Sequence, residues 1–155
     1  MISKHIFRAK LDWLFSKKKV ATYNKNHTIT IEGKDILNVS AAKVFKGDPS
    51  LYNPEDLFLS SVVSCHMMSY LYVCKQNGIE ILSYTDTAEA SLEVLPDGSG
   101  RFVEIKLNPK VCISNKGKVA EALSLHQKAN QVCFIANSCN FPILHFPVCE
   151  VVAAN

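Results

Sequence analysis

The stretch NPEDLFLSSVVSCHMMSYLYVCKQNG, residues 53–78, decides the fold because it is the longest apolar segment of the chain. Pro54 suits the first turn of a helix, where a missing N–H is tolerated, and the two acidic residues after it favour a helix N-terminus. Gly78 is typical of the position just after a helix. The pattern therefore predicts a helix over residues 54–77.

The uncharged part of this helix, residues 57–74, approaches the ~20 apolar residues of a membrane span. It contains four serines and His66, it lies in the middle of the chain, and amphipathic segments flank it. A central helix that is buried on nearly all sides explains this pattern better than a membrane helix. We therefore expect no membrane association.

The composition is that of an ordinary globular protein, with 48% hydrophobic and 20% charged residues among 155. This length predicts a single domain over residues 1–155. The net charge of +3 is spread along the chain without a basic stripe, which argues against nucleic-acid binding. The first residues lack a secretory signal pattern, so we expect a cytoplasmic protein whose six cysteines are mostly reduced.

Alternating polar and apolar residues predict strands on both sides of the first helix. A second helix is predicted near the C-terminus, and the Asp-Gly of LPDGSG predicts a hairpin turn. The fold class is therefore α+β, with two long helices and mostly antiparallel strands. The predicted elements are strands 6–15, 27–32 and 36–41, the first helix, hairpin strands 84–94 and 101–113, a helix over 116–136, and a strand over 149–153.

Metal chemistry has little support in the sequence. No C-x-x-C motif occurs, and adjacent residues such as Cys65 and His66 diverge by ~100° on a helix. His126, Cys133 and Cys139 do not have a standard zinc spacing. We expect neither a metal nor a bound cofactor.

Thiol redox chemistry remains, since each predicted helix carries a cysteine and packed helices could bring two thiols together. NPEDLFLSSVVSCHMMSYL, followed by LHQKANQVCFIANS, resembles the OsmC/Ohr family, the osmotically inducible and organic hydroperoxide resistance proteins. SAAKVFKGDPSLYNPEDL is similar to that family's lead-in to its first central helix. The resemblance covers nearly the whole chain.

The resemblance implies an OsmC-like fold, an intertwined homodimer whose two long central helices per chain are wrapped by sheets, with active sites at the subunit interface. It implies reduction of organic hydroperoxides by a peroxidatic Cys65, a resolving Cys133 and an external dithiol reductant of the lipoyl type. It also implies that Glu55 pairs with an N-terminal arginine that holds the catalytic thiolate.

The chain departs from this pattern at two positions. No arginine lies near the second predicted strand, where Lys25 is the nearest substitute and Arg8 is too early. Lysine lacks the planar fork with which arginine holds two anions at once. Phe134 follows Cys133 where peroxidatic members usually have proline.

Spacing along the first helix also favours a dimer. Glu55 and Cys65 are ten residues apart, which is about 15 Å along a helix. A symmetric partner whose helix runs in the opposite sense could bring its glutamate to this thiol. Apolar residues near the thiol, namely Leu59, Val62 and Met68, favour an organic peroxide over hydrogen peroxide.

Simpler interpretations stand beside these. The thiols at Cys65 and Cys133 could be core packing, Lys25 a solvated turn residue, and His66 and His126 helix histidines with satisfied hydrogen bonds. Cys139 could resolve in place of Cys133. The alternative function is a non-catalytic homodimer that binds an apolar ligand in an interface pocket.

Overall fold

The computed structural model describes residues 1–15 and 24–152. Its contacts cluster into two compact units, Met1–Phe58 and Leu59–Asn155. The expectation of a single domain stays a prediction. The helices and strands of the described residues are β1 Lys10–Asp12, β2 His27–Thr30, β3 Leu37–Val39, α1 Pro54–Gln76, β4 Ile81–Asp86, β5 Glu89–Val94, β6 Gly100–Leu107, β7 Pro109–Ile113, α2 Val119–Val132, β8 Ile143–His145 and β9 Val148–Val151.

The first unit contains an antiparallel sheet in the order β1-β2-β3. The predicted strand 6–15 is too long, because only Lys10–Asp12 finds pairing partners in β2. β2 and β3 are also shorter than the predicted strands 27–32 and 36–41. After β3, Ser40 is buried, donates to Asn26 at 2.8 Å and accepts from the Asp48 amide at 3.0 Å.

The prediction of α1 is confirmed within one residue. Asn53 caps the helix, since its Oδ1 accepts a hydrogen bond from the Asp56 amide at 2.9 Å. Gly78 follows the helix with φ +65°, a left-handed conformation that glycine adopts without strain.

The burial of α1 differs from the prediction. Of its 23 residues only Val62, His66, Tyr70, Val73 and Cys74 are buried. The helix is long and apolar enough to cross a membrane by length and composition, and 28% of its most apolar stretch is buried within the chain. The expectation of burial on nearly all sides is therefore wrong for one copy of the chain.

The second unit contains two sheets, β4-β7-β9 and β5-β6-β8. The predicted hairpin turn is confirmed between β5 and β6. Each predicted hairpin strand is broken into two, because Asn108 donates from its amide to Asp86 Oδ1 and from its side chain to the Thr87 carbonyl, both at 2.8 Å. These bonds interrupt the strands where they pass from one sheet to the other.

Two parallel pairings complete these sheets, β6 with β8 and β7 with β9. The other four strand pairs of the described residues are antiparallel, so the prediction of mostly antiparallel strands is confirmed. The sequence did not predict β8. The final strand is Val148–Val151, whereas its predicted C-terminal residue, Ala153, lies outside the described residues.

The second helix is shorter than predicted. α2 has 14 residues; a 3-10 turn, Lys116–Lys118, precedes it, and another, Ala136–Ser138, comes a few residues after its end. α2 ends at Val132 because the next residue, Cys133, has an extended backbone, with φ −77° and ψ 114°.

The core of the second unit lies between the C-terminal part of α1, α2 and the sheet β4-β7-β9. Tyr70 on α1 donates from its hydroxyl to the Ala122 carbonyl of α2 at 2.9 Å, and His66 contacts His126. The contacts advance in opposite directions along the two helices, which therefore run in opposite senses.

Candidate active site

The structure brings the thiols of Cys65 and Cys133 together. Cys65 lies on α1 and is partly exposed, whereas Cys133 at the end of α2 is fully buried. Their side chains are hydrogen-bonded to each other. Because they come from different helices, the contact depends on how α1 and α2 pack.

Cys133 is held in its protonated form. Burial raises the pKa of Cys133 to about 11, and the hydrogen bond with Cys65 adds to this, while the Ala136 amide, which donates to its sulfur at 3.5 Å, opposes it. A bond that favours the protonated form of Cys133 makes the Cys65 sulfur the acceptor. The partly exposed sulfur is therefore the one placed to meet a substrate.

Glu55 and Lys25 both belong to the first unit. Glu55 Oε2 is buried and has no hydrogen-bond partner among the described residues. Lys25 is exposed, and its ammonium group donates to the Phe45 carbonyl. The ion pairs of the described part of the chain include neither residue, so the pairing of Lys25 with Glu55 stays a prediction.

Cys139 is less favourably placed than Cys133 to react with Cys65. The Cys139 thiol donates to the Ile135 carbonyl at 3.3 Å, and burial raises the pKa of Cys139. Its partner is a backbone atom, whereas that of Cys133 is the Cys65 thiol. Among the described residues no group of three or more His, Cys, Asp or Glu side chains is arranged to hold a metal.

Beside the thiol pair lies a cluster of three histidines. The sequence did not predict this cluster. His66 Nε2 and His126 Nδ1 are 3.1 Å apart, and the His66 and His145 ring centroids are 4.6 Å apart. His66 Nδ1, His126 Nε2 and His145 Nε2 are buried without partners among the described residues. The expectation of satisfied helix histidines is thus wrong for one nitrogen of each ring. His145 lies far from the others in sequence, and no local pattern marks it.

Burial keeps these histidines neutral. It lowers the pKa of His66 to about 3, with His145 and then His126 adding to the effect. It also lowers the pKa of His126 to about 4, with a further contribution from His145, and it lowers that of His145.

A cavity of about 490 Å³ lies between another face of α1 and the β4 region. Val63, which lines it, is about 200° around the helix from Cys65. Leu59 also lines this cavity, Val62 is buried and Met68 is 57% exposed. The three apolar residues expected beside the thiol thus face different surroundings. The cavity walls are Leu59, Ser60, Val63, Ser64, Met67, Tyr84, Thr85, Asp86 and Ala88.

Residues 47–144, which include both helices and the thiol pair, match the family model described as OsmC-like protein. The chain belongs to the OsmC-like protein family. No curated protein sequence matches it. Solved structures with a similar fold include an OsmC-like protein of unknown function from Vibrio cholerae, with a TM-score of 0.83, 24% identity, and coverage of 94% of this chain and 100% of that one.

Two other structures with this fold are described as organic hydroperoxide resistance proteins. The one from Elizabethkingia anophelis has a TM-score of 0.73 and 21% identity, and covers 98% of this chain and 100% of its own. The one from Legionella pneumophila has a TM-score of 0.69 and 20% identity, and the match covers 95% of this chain and 98% of that one. The TM-scores show a shared fold, and together with the family model they confirm the resemblance to the OsmC/Ohr family.

Proposed function

We propose that this OsmC-like protein is a cytoplasmic, homodimeric thiol peroxidase that reduces organic hydroperoxides to alcohols. The observation that carries the proposal is the hydrogen-bonded contact between the Cys65 and Cys133 thiols. The hydroperoxide resistance proteins among its structural neighbours support the substrate class.

The reaction starts at the partly exposed thiol. The Cys65 thiolate attacks the distal oxygen of the hydroperoxide, the O–O bond breaks, and the alkoxide takes a proton and leaves as the alcohol. Cys65 is thereby oxidised to a sulfenic acid, and the hydroperoxide loses one oxygen.

Resolution follows at the buried thiol. Cys133 attacks the Cys65 sulfenic sulfur, a disulfide forms, and the hydroxyl group leaves as water with the Cys133 proton. An external dithiol of the lipoyl type then reduces this disulfide by exchange and becomes a disulfide itself. Cys133 is adjacent and protonated before the reaction, so it does not compete with Cys65 for the peroxide.

The first helix supports the homodimer. Met68, Leu71 and Tyr72 are exposed by 57%, 39% and 58%, and their spacing places them on one stripe of α1. A large exposed apolar stripe is typical of an interface. To the Glu55 and Lys25 of a second copy we assign the role of acting on the thiol pair.

Cumene hydroperoxide consumption with a dithiol present tests the proposal. The Cys65→Ser variant should lose activity while it remains folded, because a hydroxyl group is not deprotonated at neutral pH. The Cys112→Ser variant is the matched control, since Cys112 lies on β7 and its thiol contacts Glu150 at 4.0 Å. Activity retained by Cys65→Ser would refute the mechanism.

The cavity beside β4 favours a second candidate, a non-catalytic homodimer that binds an apolar ligand. Leu59, Val63 and Met67 give the cavity an apolar wall. A Val63→Phe substitution would narrow it. Loss of ligand binding in that variant, together with wild-type protein that consumes no hydroperoxide, would favour this alternative.

A further inference from the structure

Three directional contacts join α1 to α2 beside the thiol pair. His66 Nε2 lies 3.1 Å from His126 Nδ1, and the Tyr70 ring stacks on the His126 ring at 3.8 Å with planes 10° apart. The Tyr70 hydroxyl donates to the Ala122 carbonyl at 2.9 Å. His66 and Tyr70 are four residues apart on α1, as are Ala122 and His126 on α2, so one face of each helix makes all these contacts.

These contacts lower the stability of the core, because they bury polar atoms without partners in the described part of the chain. A neutral imidazole pair shares one hydrogen bond, so each ring keeps a second nitrogen, and here both remaining nitrogens are buried without partners among the described residues. Apolar side chains of similar size would avoid that cost. Hydrogen bonds and stacking, however, favour one relative position of two helices, where apolar contacts allow several.

The preferred position is the one that the thiols need. Cys133 follows His126 by seven residues, which is about 20° short of two full turns, so both lie on the same side of α2. Cys65 directly precedes His66. A slide of α2 by one residue would move Cys133 by about 1.5 Å along the axis and about 100° around it, which a disulfide of fixed geometry does not tolerate.

We propose that His66, Tyr70 and His126 are positioning residues that hold α2 in the register at which Cys133 meets Cys65. Their contacts described above are with one another and with the Ala122 carbonyl, and they act by raising the effective concentration of one thiol at the other. This inference rests on the two-thiol chemistry proposed above.

The dithiol–disulfide equilibrium of the full chain tests the proposal without any peroxide. In glutathione buffers the two thiols give up two electrons and two protons to glutathione disulfide, which becomes two glutathione thiols. The fraction of Cys65–Cys133 disulfide, measured by peptide mass spectrometry, gives the effective concentration.

His126→Leu should lower that effective concentration about tenfold, because it removes both the hydrogen bond and the stack. His66→Gln should stay within about threefold of the wild type, since its amide nitrogen takes the place of imidazole Nε2. Val73→Ala is the control, because Val73 is fully buried on the same helix, about two turns after Cys65. If His126→Leu does not fold, His126→Phe keeps an aromatic ring for the stack but removes the hydrogen bond, and it should still lower the value.

The positioning role would be overturned if Val73→Ala lowered the effective concentration as much as His126→Leu does. A His66→Gln variant whose effective concentration falls as far as that of His126→Leu would also overturn it. Wild-type protein that forms the disulfide but consumes no hydroperoxide would refute the proposed function and leave the positioning role intact. Hydroperoxide consumption by the wild type, together with a His126→Leu variant of unchanged effective concentration, would refute the positioning role and leave the proposed function intact.

Discussion

Mild acid should destabilise this protein through His66 and His126. Both rings are 1% exposed, and burial lowers the pKa of His66 to about 3 and that of His126 to about 4. Their reference value of 6.5 applies to the unfolded chain. The folded pKa is the lower one, so the unfolded state binds protons first as the pH falls, and stability present above pH 6.5 is lost progressively below it.

The size of the effect follows from the gap between pH 5 and the unfolded pKa. Each unit is worth about 1.4 kcal/mol, so each histidine should cost about 2 kcal/mol at pH 5 relative to pH 7.5, and the two together about 4 kcal/mol. Asp48 and Asp97 have lowered pKa values, but they lose their contribution only below about pH 4. Burial raises the pKa of Asp86, which gives the opposite sign.

Urea unfolding at several pH values between 7.5 and 5 measures this loss. The His66→Gln variant keeps a group able to hydrogen-bond but cannot be protonated in this range, so its loss should be smaller by about 2 kcal/mol. His27→Gln is a matched control, because His27 lies in the first unit on β2, where its Nδ1 contacts the Lys25 carbonyl at an exposed position. Parallel losses in the wild type and His66→Gln would refute the assignment of the acid sensitivity to the buried pair.

Three further outcomes are expected. Cys133→Ser should let Cys65 oxidise once and stall, with mass gains of one or two oxygens, and an intramolecular disulfide in this variant would make Cys139 the resolving thiol. Lys25→Met should slow Cys65 alkylation at pH 7, with recovery at higher pH, and Lys25→Arg should not; equal rates would reduce Lys25 to its contact with the Phe45 carbonyl. Gly47→Ala should lower the free energy of unfolding by about 1–3 kcal/mol in urea titrations, because its Cβ would lie 1.7 Å from the Ala41 carbonyl oxygen.

Local chemistry explains which parts of the fold could be predicted. The start of α1 follows from Asn53 and Pro54, its end from Gly78, and the β5–β6 turn from Asp-Gly, all of which act within a few residues. The thiol pair was predicted from the resemblance to a family. Sequence spacing alone could not select Cys133 over Cys139 as the resolving thiol, since the two cysteines are only six residues apart.

Contacts between distant residues explain the errors. The break between β4 and β5 depends on Asn108, which is more than twenty residues from its partners Asp86 and Thr87. β8 has three residues and exists because it pairs with β6. His66 and His126 are 60 residues apart, and neither has a local signal that it meets another histidine.

The first helix shows why hydrophobicity was a poor guide to burial. An apolar helix in water must bury its surface against something, and in one copy of this chain most of α1 is not buried. The same helix begins with Glu55, whose buried Oε2 has no partner among the described residues. Both features are costly in a single copy, and a symmetric partner could cover the Met68–Tyr72 stripe and supply a cation to the carboxylate. Sedimentation equilibrium should therefore give a dimer. Met68→Lys combined with Tyr72→Lys should dissociate this dimer, because two like charges would then face their symmetry mates. A monomeric wild type would refute this explanation of α1.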